Sequence, residues 1–493
     1  MECSGRNKMV TVRRTPFIWS AFFIVVSIAC NIAVFSMKGN CNDQLFLLGY
    51  VLVVELICFI IANSATHGRV LNFAAVFVLV LFVFNFGQVM INTYFKNIYS
   101  HVRFLLLLNP EDSLYGFKYI NLAFSTLCMG LLIATISARN DKISSKEEYI
   151  NQEVDFQKLA RNIILVSFPI KLVVDALTLF VFLTAGGAAA RLWLNTFPNV
   201  LVYYGKISLI GFAFLIIANK NDAKKQRRVF LFIEIYILLM MVSGIRSENV
   251  GYLLIFSFVY FSNRKKKIPI YKFIIYGVIC VVLLAFIITV GEYRNVAEKS
   301  VKSFFEAFNN SLTKKNVILS LLDTCGDTGY TAQCVITKWL PLYGPSGGDS
   351  YYLGWLSVLP NVPKIFTFPG IMTEKSCFAL KLQVAGTLSE NYLNIGGSLI
   401  GEQFFNFGLI GGCIATFMIG IFLGKVSYKC YVCFQKENYY RLIRIIPIMF
   451  AATYWVRDYF GGEFREIIWG PLICYIIIYF QKRSSRYLQK QEK

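Results

Sequence analysis

The stretch FIWSAFFIVVSIACNIAVFS, residues 17–36, runs for about 20 residues without a charged side chain. That length is what an α-helix needs to cross the hydrocarbon core of a bilayer. It follows a basic N-terminal region, as the apolar part of a signal sequence does. It is, however, too long for one and lacks a small-residue cleavage site. We therefore expect it to remain in the protein as a transmembrane anchor.

Apolar segments of this kind recur along the chain and predict about twelve transmembrane helices. The segments are 17–36, 44–63, 71–95, 117–137, 161–184, 198–218, 229–242, 249–261, 271–290, 396–424, 445–457 and 466–480. With 56% apolar and 16% charged residues among 493, the composition is typical of a polytopic membrane protein. We predict an all-α fold in which residues 1–290 form helices 1–9 with short loops. Residues 291–395 form one large extracytoplasmic loop, and residues 396–493 form the last helices and a cytoplasmic tail.

The positive charges of the short loops predict the orientation of these helices. Most of the 49 Lys and Arg residues fall in loops on one side if the N-terminus is cytoplasmic, as the positive-inside rule requires. The C-terminus is then cytoplasmic as well. The net charge of +21 lies in short clusters beside membrane helices, where anionic lipid attracts it, and so does not indicate a nucleic-acid partner.

Two pairs of adjacent apolar segments are too short to span the membrane singly. The sequence SGIRSE, residues 243–248, joins the first pair, and RDYFGGEFRE, residues 457–466, joins the second. Short helices must thin the bilayer or hold their polar junction inside protein or a water-filled recess. Both junctions are therefore expected below the outer surface.

Arginines occupy these junctions and the next outer helix end: Arg246, Arg457, Arg465 and, in the sequence GEYR, Arg294. A guanidinium is permanently charged and matches phosphate oxygens through two parallel hydrogen bonds. Several arginines in one pocket favour a ligand with more than one negative charge. The alternative is that each arginine reaches the membrane interface or pairs with a neighbouring acid.

Some ionisable residues fall inside the predicted helices. Lys171 and Asp175 are four residues apart on one helix and are predicted to pair. Glu55, Lys206 and Glu234 lack a local partner, so they are predicted to form interhelical pairs or, as an alternative, part of a proton route.

The return of the long loop to the membrane carries two carboxylates, Glu390 and Glu402. Glu402 follows a Gly/Ser-rich helix start, so it is a candidate general base at the outer surface or, alternatively, an arginine partner. The two histidines, His67 and His101, both lie outside this loop. The sequence has no acidic pair in the first outer turn and no nucleotide-binding fingerprint, so we predict neither a metal nor a cofactor.

Four sequence motifs in the C-terminal half resemble the O-antigen polymerase (Wzy) type, the oligosaccharide repeat-unit polymerases of bacterial surface polysaccharide pathways. They are SGIRSE (243–248), GEYR (291–294), GDSYYLGWLSVLPNVPK (348–364) and SLIGEQFFNFGLIGG (398–412). The resemblance covers residues 229–480, and the first half is similar only in hydropathy. It rests on the order and topological placement of the motifs.

The resemblance implies a GT-C-like fold in the bacterial cytoplasmic (inner) membrane with an extracytoplasmic active site. It implies metal-independent transfer of a growing glycan from undecaprenyl diphosphate to a lipid-linked repeat unit, for lipopolysaccharide or capsule. The predicted catalytic residues are Arg246, Arg294 and Glu402, and the predicted substrate-binding residues are Arg457, Arg465, Tyr293 and Glu390. Membrane lipid is an expected partner. Association with a chain-length regulator or flippase of the same pathway is left open.

Other functions remain open at this point. O-antigen ligases share the architecture but use a histidine in the long loop, and its absence here favours a polymerase. A peptidoglycan polymerase type also has a large outer loop. A lipid-linked oligosaccharide flippase, a transporter, predicts more charges at mid-membrane, and a non-catalytic scaffold predicts tolerance of arginine replacement. A disulfide between Cys325 and Cys334 is also left open.

Overall fold

The computed structural model describes residues 3–95, 108–138, 154–196, 199–241, 246–263, 282, 285–286, 289, 301–313, 317–358 and 397–491. These residues form helices and turns, and within them there is no strand. The helices are α1 (Cys3–Ser36), α2 (Cys41–His67), α3 (Phe73–Tyr94), α4 (Pro110–Ala138), α5 (Phe156–Thr196), α6 (Asn199–Ala218), α7 (Ala223–Met241), α8 (Arg246–Ser262), α9 (Val301–Thr313), α10 (Val317–Cys334), α11 (Leu340–Tyr343), α12 (Asp349–Ser357), α13 (Leu399–Lys436), α14 (Tyr439–Trp455) and α15 (Phe460–Gln491). A π-helical turn, Val335–Trp339, joins α10 to α11.

Within the described residues, eight helices are long and apolar enough to cross a membrane. The spans are Pro16–Ser36, Cys41–His67, Phe73–Tyr94, Pro110–Ser137, Phe156–Gly186, Val200–Ala218, Leu399–Lys436 and Phe464–Arg483. They match eight of the twelve predicted segments. Three further predicted segments correspond to α7, α8 and α14, and segment 271–290 lies largely outside the described residues. The chain is a multi-pass membrane protein, and its described residues form helices joined by turns.

The spans carry large apolar side chains that are exposed. Leu165 is 71% exposed, Phe180 63% and Ile410 80%. Apolar surface of this size on a spanning helix is suited to contact with lipid acyl chains. The polar side chains of the same helices are largely turned inward, and Glu55, Asn121 and Ser125 are each fully buried.

The chain divides into two compact units. The first unit contains residues 1–142, 322–432 and 455–464. The second unit contains residues 143–321, 433–454 and 465–493. Each unit is therefore assembled from segments distant in sequence.

In the first unit, α10 packs closely against α3. The Gln88 side chain donates hydrogen bonds to the Asp323 backbone oxygen and to its Oδ1, both at 3.0 Å. A Cβ added to Gly326 would lie 2.6 Å from the Gln88 backbone nitrogen, so the contact requires a glycine. The predicted 291–395 loop thus contains a helix that is part of the packed core.

Helix α10 also decides the question of a disulfide. Cys325 and Cys334 lie nine positions apart on this helix. At 1.5 Å per residue their Cα atoms are separated by roughly 13 Å, about twice the span of a disulfide. A bridge between them is excluded.

At one end of the first unit, the end of α2 and the start of α3 both contact α13 through Ser427. The Ser427 hydroxyl lies 3.2 Å from His67 Nε2 and accepts a hydrogen bond from the Ala74 backbone at 3.1 Å. Arg69 follows α2 at this end, and Lys425 lies beside Ser427. Two of the predicted cytoplasmic basic residues therefore share one end of the unit.

Inside the first unit, Glu55 binds polar groups of two other helices. It accepts hydrogen bonds from Ser27 and Ser125, each at 3.0 Å, and from Asn31 at 3.3 Å. The interhelical partners predicted for Glu55 are thus hydroxyl and amide groups.

In the second unit, the basic residues again gather at one end. The side chains of Gln226 and Asn263 donate to backbone oxygens at the C-terminal end of α6, at 3.1 and 3.2 Å. The first turns of α7 at this end carry four basic residues: Lys224, Lys225, Arg227 and Arg228. Helix α5 is broken at Gly186, where φ is 86°.

Candidate functional site

The predicted residue Glu402 lies at the centre of a polar cluster in the first unit. Its side chain is 0% exposed. Oε1 accepts a hydrogen bond from the Ser350 hydroxyl at 2.6 Å, and Oε2 accepts one from the Trp455 indole at 2.6 Å. The Phe460 backbone N–H lies 3.2 Å from Oε1 and 3.0 Å from Oε2. Glu402 therefore joins α13 to α12 and to the junction between α14 and α15.

A break in α13 makes room for this arrangement. Gly408 has φ 71° and ψ −172°, a conformation that suits glycine and interrupts the helix after nine residues. Helical carbonyl groups before the break lose their partners, and the loop before α12 replaces them. The Ser346 backbone N–H donates to the Phe405 oxygen at 2.9 Å, and that of Gly347 donates to the Asn406 oxygen at 3.0 Å.

Aromatic side chains enclose the Glu402 cluster. The Tyr351 ring lies 4.8 Å from that of Phe460, and the Trp455 ring lies 5.2 Å from it. The Tyr351 hydroxyl donates to Gln403 Oε1 at 2.5 Å. Burial raises the pKa of Tyr351, and the nearby Glu402 charge raises it further, so this hydroxyl remains protonated. These rings help to bury Glu402, which is 0% exposed.

Arg457 belongs to the first unit and lies in the turn between α14 and α15. Its guanidinium carbon is 5.9 Å from the centre of the Phe84 ring, a cation–π contact. Among the described residues no carboxylate lies within salt-bridge distance of it, including its neighbour Asp458. Its positive charge is therefore not neutralised by the described part of the protein.

A second polar cluster lies in the second unit, and we call its four members the Lys206 cluster: Lys206, Glu248, Tyr252 and Glu466. The Lys206 ammonium pairs with Glu248 Oε1 and lies 3.3 Å from Glu466 Oε1. The Tyr252 hydroxyl donates to Glu248 and lies 3.5 Å from Glu466. The side chains of the lysine and the two glutamates are 12 to 18% exposed, so the cluster is buried but not sealed.

Two cavities adjoin the Lys206 cluster. One, of about 520 Å³ including the solvent at its mouth, is bounded by α5, α6, α7 and α8, and the other, of about 350 Å³ measured in the same way, by α6, α8, α14 and α15. Lys206 and Tyr252 line both cavities. Arg465 lines the smaller one, and its guanidinium carbon lies 5.1 Å above the Tyr203 ring. The second unit therefore contains two narrow cavities with charged side chains in their walls.

The predicted pair Lys171 and Asp175 is confirmed and borders the larger cavity. The ammonium lies 2.9 Å from Asp175 Oδ2, and the Tyr236 hydroxyl donates to the same oxygen. The pair neutralises two charges within the α5 span, as the i,i+4 spacing predicted.

A family model now identifies the kind of protein to which these sites belong. The model of O-antigen polysaccharide polymerase Wzy matches residues 17–488. The chain belongs to this family. The resemblance predicted from the C-terminal motifs is confirmed, and the match extends it to the first half of the chain. Wzy polymerases act on lipid-linked oligosaccharide repeat units.

No curated protein and no solved structure shows a significant match to this Wzy family member.

The predicted site residues fall in different units, and some of them lie outside the described residues. Arg457 belongs to the first unit and Arg465 to the second. Arg246 is the first residue of α8, two positions before Glu248, and its side chain lies outside the described set. Arg294, Tyr293 and Glu390 lie outside the described residues. The convergence of the arginines stays a prediction.

The pairing within the Lys206 cluster was not specified by the sequence reasoning. The available signal was an intramembrane lysine without a local partner, which indicates a functional or paired site. The sequence could not choose its partners, because Glu248 and Glu466 lie on other helices and are distant along the chain.

Proposed function

We propose that this protein is an extracytoplasmic glycan polymerase. It transfers a growing polysaccharide from undecaprenyl diphosphate to a lipid-linked oligosaccharide repeat unit, without a metal ion. The observation that carries the proposal is the match of the Wzy family model to residues 17–488. The multi-pass helical structure supports it, since the polyprenyl part of such substrates is held in a membrane.

The distribution of basic residues supports the proposed orientation. In each unit one end collects Lys and Arg residues, such as Lys425 in the first and Lys225 in the second. By the positive-inside rule these ends face the cytoplasm. Both termini are then cytoplasmic, the membrane is the bacterial inner membrane, and the reaction takes place at the opposite face.

The transfer needs three things from the protein. A hydroxyl of the acceptor sugar attacks the anomeric carbon of the sugar attached to the diphosphate. The new carbon–oxygen bond replaces the bond to the diphosphate oxygen, and undecaprenyl diphosphate leaves with the bonding electrons. The hydroxyl proton passes to a base. The protein must therefore align two saccharides, receive a proton and stabilise the anionic leaving group.

We propose that the arginines bind and stabilise the diphosphate leaving group. Arg246 and Arg294 are proposed to bind the diphosphate, with Arg457 and Arg465 as further ligands and Tyr293 and Glu390 as substrate contacts. The geometry of Arg457 supports its role. Its guanidinium pairs with no carboxylate among the described residues, so it is available to bind an anionic ligand.

The contacts of Glu402 favour a structural role in the proposed polymerase. Both carboxylate oxygens already accept hydrogen bonds from buried donors. To act as the base, Glu402 would have to exchange one of these donors for the acceptor hydroxyl. We therefore propose that it positions α12 and the Arg457 turn, and its part in proton transfer remains a prediction that a glutamine variant tests.

Replacing the arginines tests the proposed function. Arg246→Ala or Arg294→Ala is expected to abolish polymer and leave single lipid-linked units, with the amount of protein unchanged. Arg→Lys at either position should also fail, because a single ammonium cannot form the two parallel bonds of a guanidinium. The readout is the length distribution of surface polysaccharide, with protein measured by immunoblot.

Arg227→Ala is the matched control, because it removes an arginine from the basic end of the second unit and should leave chain length unchanged. Long chains in both the Arg246 and the Arg294 variants would remove the enzyme proposal. A scaffold or a flippase would then be the better explanation.

A further inference from the structure

We propose that Asp323 is the general base of the glycan transfer and receives the proton of the acceptor hydroxyl on its Oδ2. The inference rests on the proposed glycan polymerase function and names a catalytic residue for it. Asp323 lies on α10, in the first unit, outside the motifs that resemble Wzy proteins. A base other than Glu402 is needed, because both oxygens of Glu402 are already occupied by buried donors.

The Asp323 carboxylate has one occupied oxygen and one available oxygen. Oδ1 accepts a hydrogen bond from Gln88 Nε2 at 3.0 Å, and no described residue donates to Oδ2. No described lysine or arginine lies within salt-bridge distance of this carboxylate. The residue is only partly buried, so a ligand has access to it. A carboxylate with these features can accept a proton from a bound hydroxyl.

Gln88 orients this carboxylate and leaves its own amide oxygen unpaired. Its side chain is 1% exposed, and its Nε2 donates to both the backbone oxygen and the carboxylate of Asp323. Its Oε1 has no hydrogen-bond partner in the described part of the protein. Buried amides usually have partners for both atoms. The exception is explained if Gln88 is a positioning residue that fixes the rotamer of Asp323.

The close packing of α3 against α10 fixes the position of Asp323 as well. A Cβ added to Gly87 would lie 2.4 Å from the Leu322 backbone oxygen, and one added to Gly329 would lie 2.3 Å from that of Asn85. The two backbones are therefore in contact on both sides of Asp323. A base must be held in a fixed position relative to the reacting hydroxyl, and this contact provides it.

The same face of α3 carries the cation that is proposed to bind the diphosphate. Phe84, which contacts the Arg457 guanidinium, and Gln88, which contacts Asp323, are four residues apart on this helix. Residues at this spacing are neighbours on one face, with Cβ atoms about 5–6 Å apart. Arg457 and Asp323 do not form a salt bridge. They are thus close but separate, as required when a sugar carbon stands between the attacking oxygen and the leaving oxygen.

The position of Gln88 along α3 agrees with a reaction at the outer face. Helix α3 begins at Phe73, next to the end of the unit where Arg69 and Lys425 lie. Gln88 is fifteen residues further on, roughly 22 Å along a helix of roughly 33 Å. In the proposed orientation this places Asp323 in the outer part of the membrane.

The proposed step is a single displacement. The acceptor oxygen forms a bond to the anomeric carbon, and the bond from that carbon to the diphosphate oxygen breaks. The bonding electrons leave with undecaprenyl diphosphate, whose charge Arg457 helps to stabilise. The hydroxyl proton passes to Asp323 Oδ2, and the protonated acid then releases it to water.

The variant Asp323→Asn tests the proposal, because its amide oxygen can still accept from Gln88 while its amide nitrogen cannot accept a proton. The full-length chain is reconstituted in nanodiscs with lipid-linked repeat units extracted from a strain that lacks this protein. The initial rate of polymer formation gives kcat and KM. Thermal unfolding of the same preparations measures stability.

We expect Asp323→Asn to lower kcat by about 100-fold or more, which is the usual contribution of a general base. KM should stay within about threefold and the melting temperature within about 2 °C, because the packing and the Gln88 hydrogen bond remain. The control is Asp112→Asn, which neutralises another carboxylate of the first unit, one that pairs with Lys338. It should keep the kcat of the wild type.

The role of Gln88 is tested by Gln88→Met, alone and combined with Asp323→Asn. Alone, it should lower kcat by about tenfold with KM unchanged, because Asp323 loses its orientation. Combined, it should lower kcat no further than Asp323→Asn does, because Gln88 acts only through Asp323. Equal losses in both backgrounds would show that Gln88 has a structural role independent of the base.

An Asp323→Asn protein with more than about a tenth of the wild-type kcat would overturn the inference. So would a loss of kcat accompanied by an equal rise in KM or by a large fall in melting temperature, which assigns Asp323 to binding or folding. In either case an active wild type leaves the proposed function in place. A wild-type chain that forms no polymer from the lipid-linked units overturns the proposed function.

Discussion

Glu402 in the first unit and Glu466 in the second are both buried carboxylates near the start of a helix, but their surroundings differ. Glu402 is 0% exposed, and three donors occupy its two oxygens. The Glu466 side chain is 12% exposed, and only its Oε1 has partners among the described residues. A carboxylate whose oxygens are fully occupied holds segments together, whereas one with an unused oxygen beside a cavity can bind a ligand.

Removing the Glu402 carboxylate should have the largest effect on stability. Glu402→Ala leaves the Trp455 indole, the Ser350 hydroxyl and the Phe460 N–H buried without an acceptor. Each such donor costs about 1–3 kcal/mol, and with partial relaxation we expect a loss of about 3–5 kcal/mol. Thermal unfolding of the purified protein in detergent measures it.

Glu402→Gln is the matched variant for this position. Its amide oxygen can accept from Trp455 and Phe460, and its amide nitrogen can donate to the Ser350 hydroxyl. We expect nearly normal stability and retained polymer formation. A folded Glu402→Gln protein that makes no polymer would contradict the structural assignment and establish Glu402 as the base.

Removing the cation of the Lys206 cluster should have an intermediate effect. Lys206→Met leaves Glu248 and Glu466 without the one ammonium that contacts both of them. Breaking a buried pair from one side costs about 3–5 kcal/mol, and the 18% exposure of Lys206 lowers our expectation to about 2–3 kcal/mol. The free energy of unfolding in denaturant measures it.

The double variant Lys206→Met with Glu466→Gln sharpens this prediction. It removes one of the two like charges, so it should be more stable than Lys206→Met alone. If the double variant is the less stable of the two, Glu466 is held by something other than Lys206, and the comparison with Glu402 fails.

The sequence contained enough information for most of the membrane architecture and little for the sites. Uniform apolar segments such as 17–36 predict their spans directly, because length and hydropathy alone decide insertion. The Lys171–Asp175 pair was predictable because a local spacing of four residues places both on one helix face. Both features depend on neighbours in the chain.

Features that depend on distant contacts were missed. The packing of α10 against α3 was not predicted, because the α10 sequence is not apolar enough for a span and the contacts join residues that are distant in sequence. The break at Gly408 lies within a continuous apolar run, and only the loop around Ser346 shows how it is stabilised. Which oxygens of Glu402 and Glu466 have hydrogen-bond partners also depends on residues that are distant in the sequence.

The smallest effect is expected at a third carboxylate, Asp222, whose side chain is 45% exposed at the start of α7. Its Oδ1 accepts the Lys225 backbone N–H at 3.0 Å, and this bond lowers the pKa of Asp222, with the Lys225 ammonium adding to the effect. Because the pKa is lower in the folded state, its stabilisation is present above the ordinary aspartate value of about 4 and is lost as the pH falls through the lowered value.

Asp222→Asn keeps the helix cap but not the charge, so the two proteins should melt alike at low pH and differ by at most about 1 °C at pH 7. Melting curves across this pH range check it. A difference as large as that of Glu402→Ala would show that exposure does not set the importance of a carboxylate in this protein. The ordering from sealed through cavity-facing to exposed carboxylates would then be wrong, because screening by solvent is the only physical reason for Asp222 to come last.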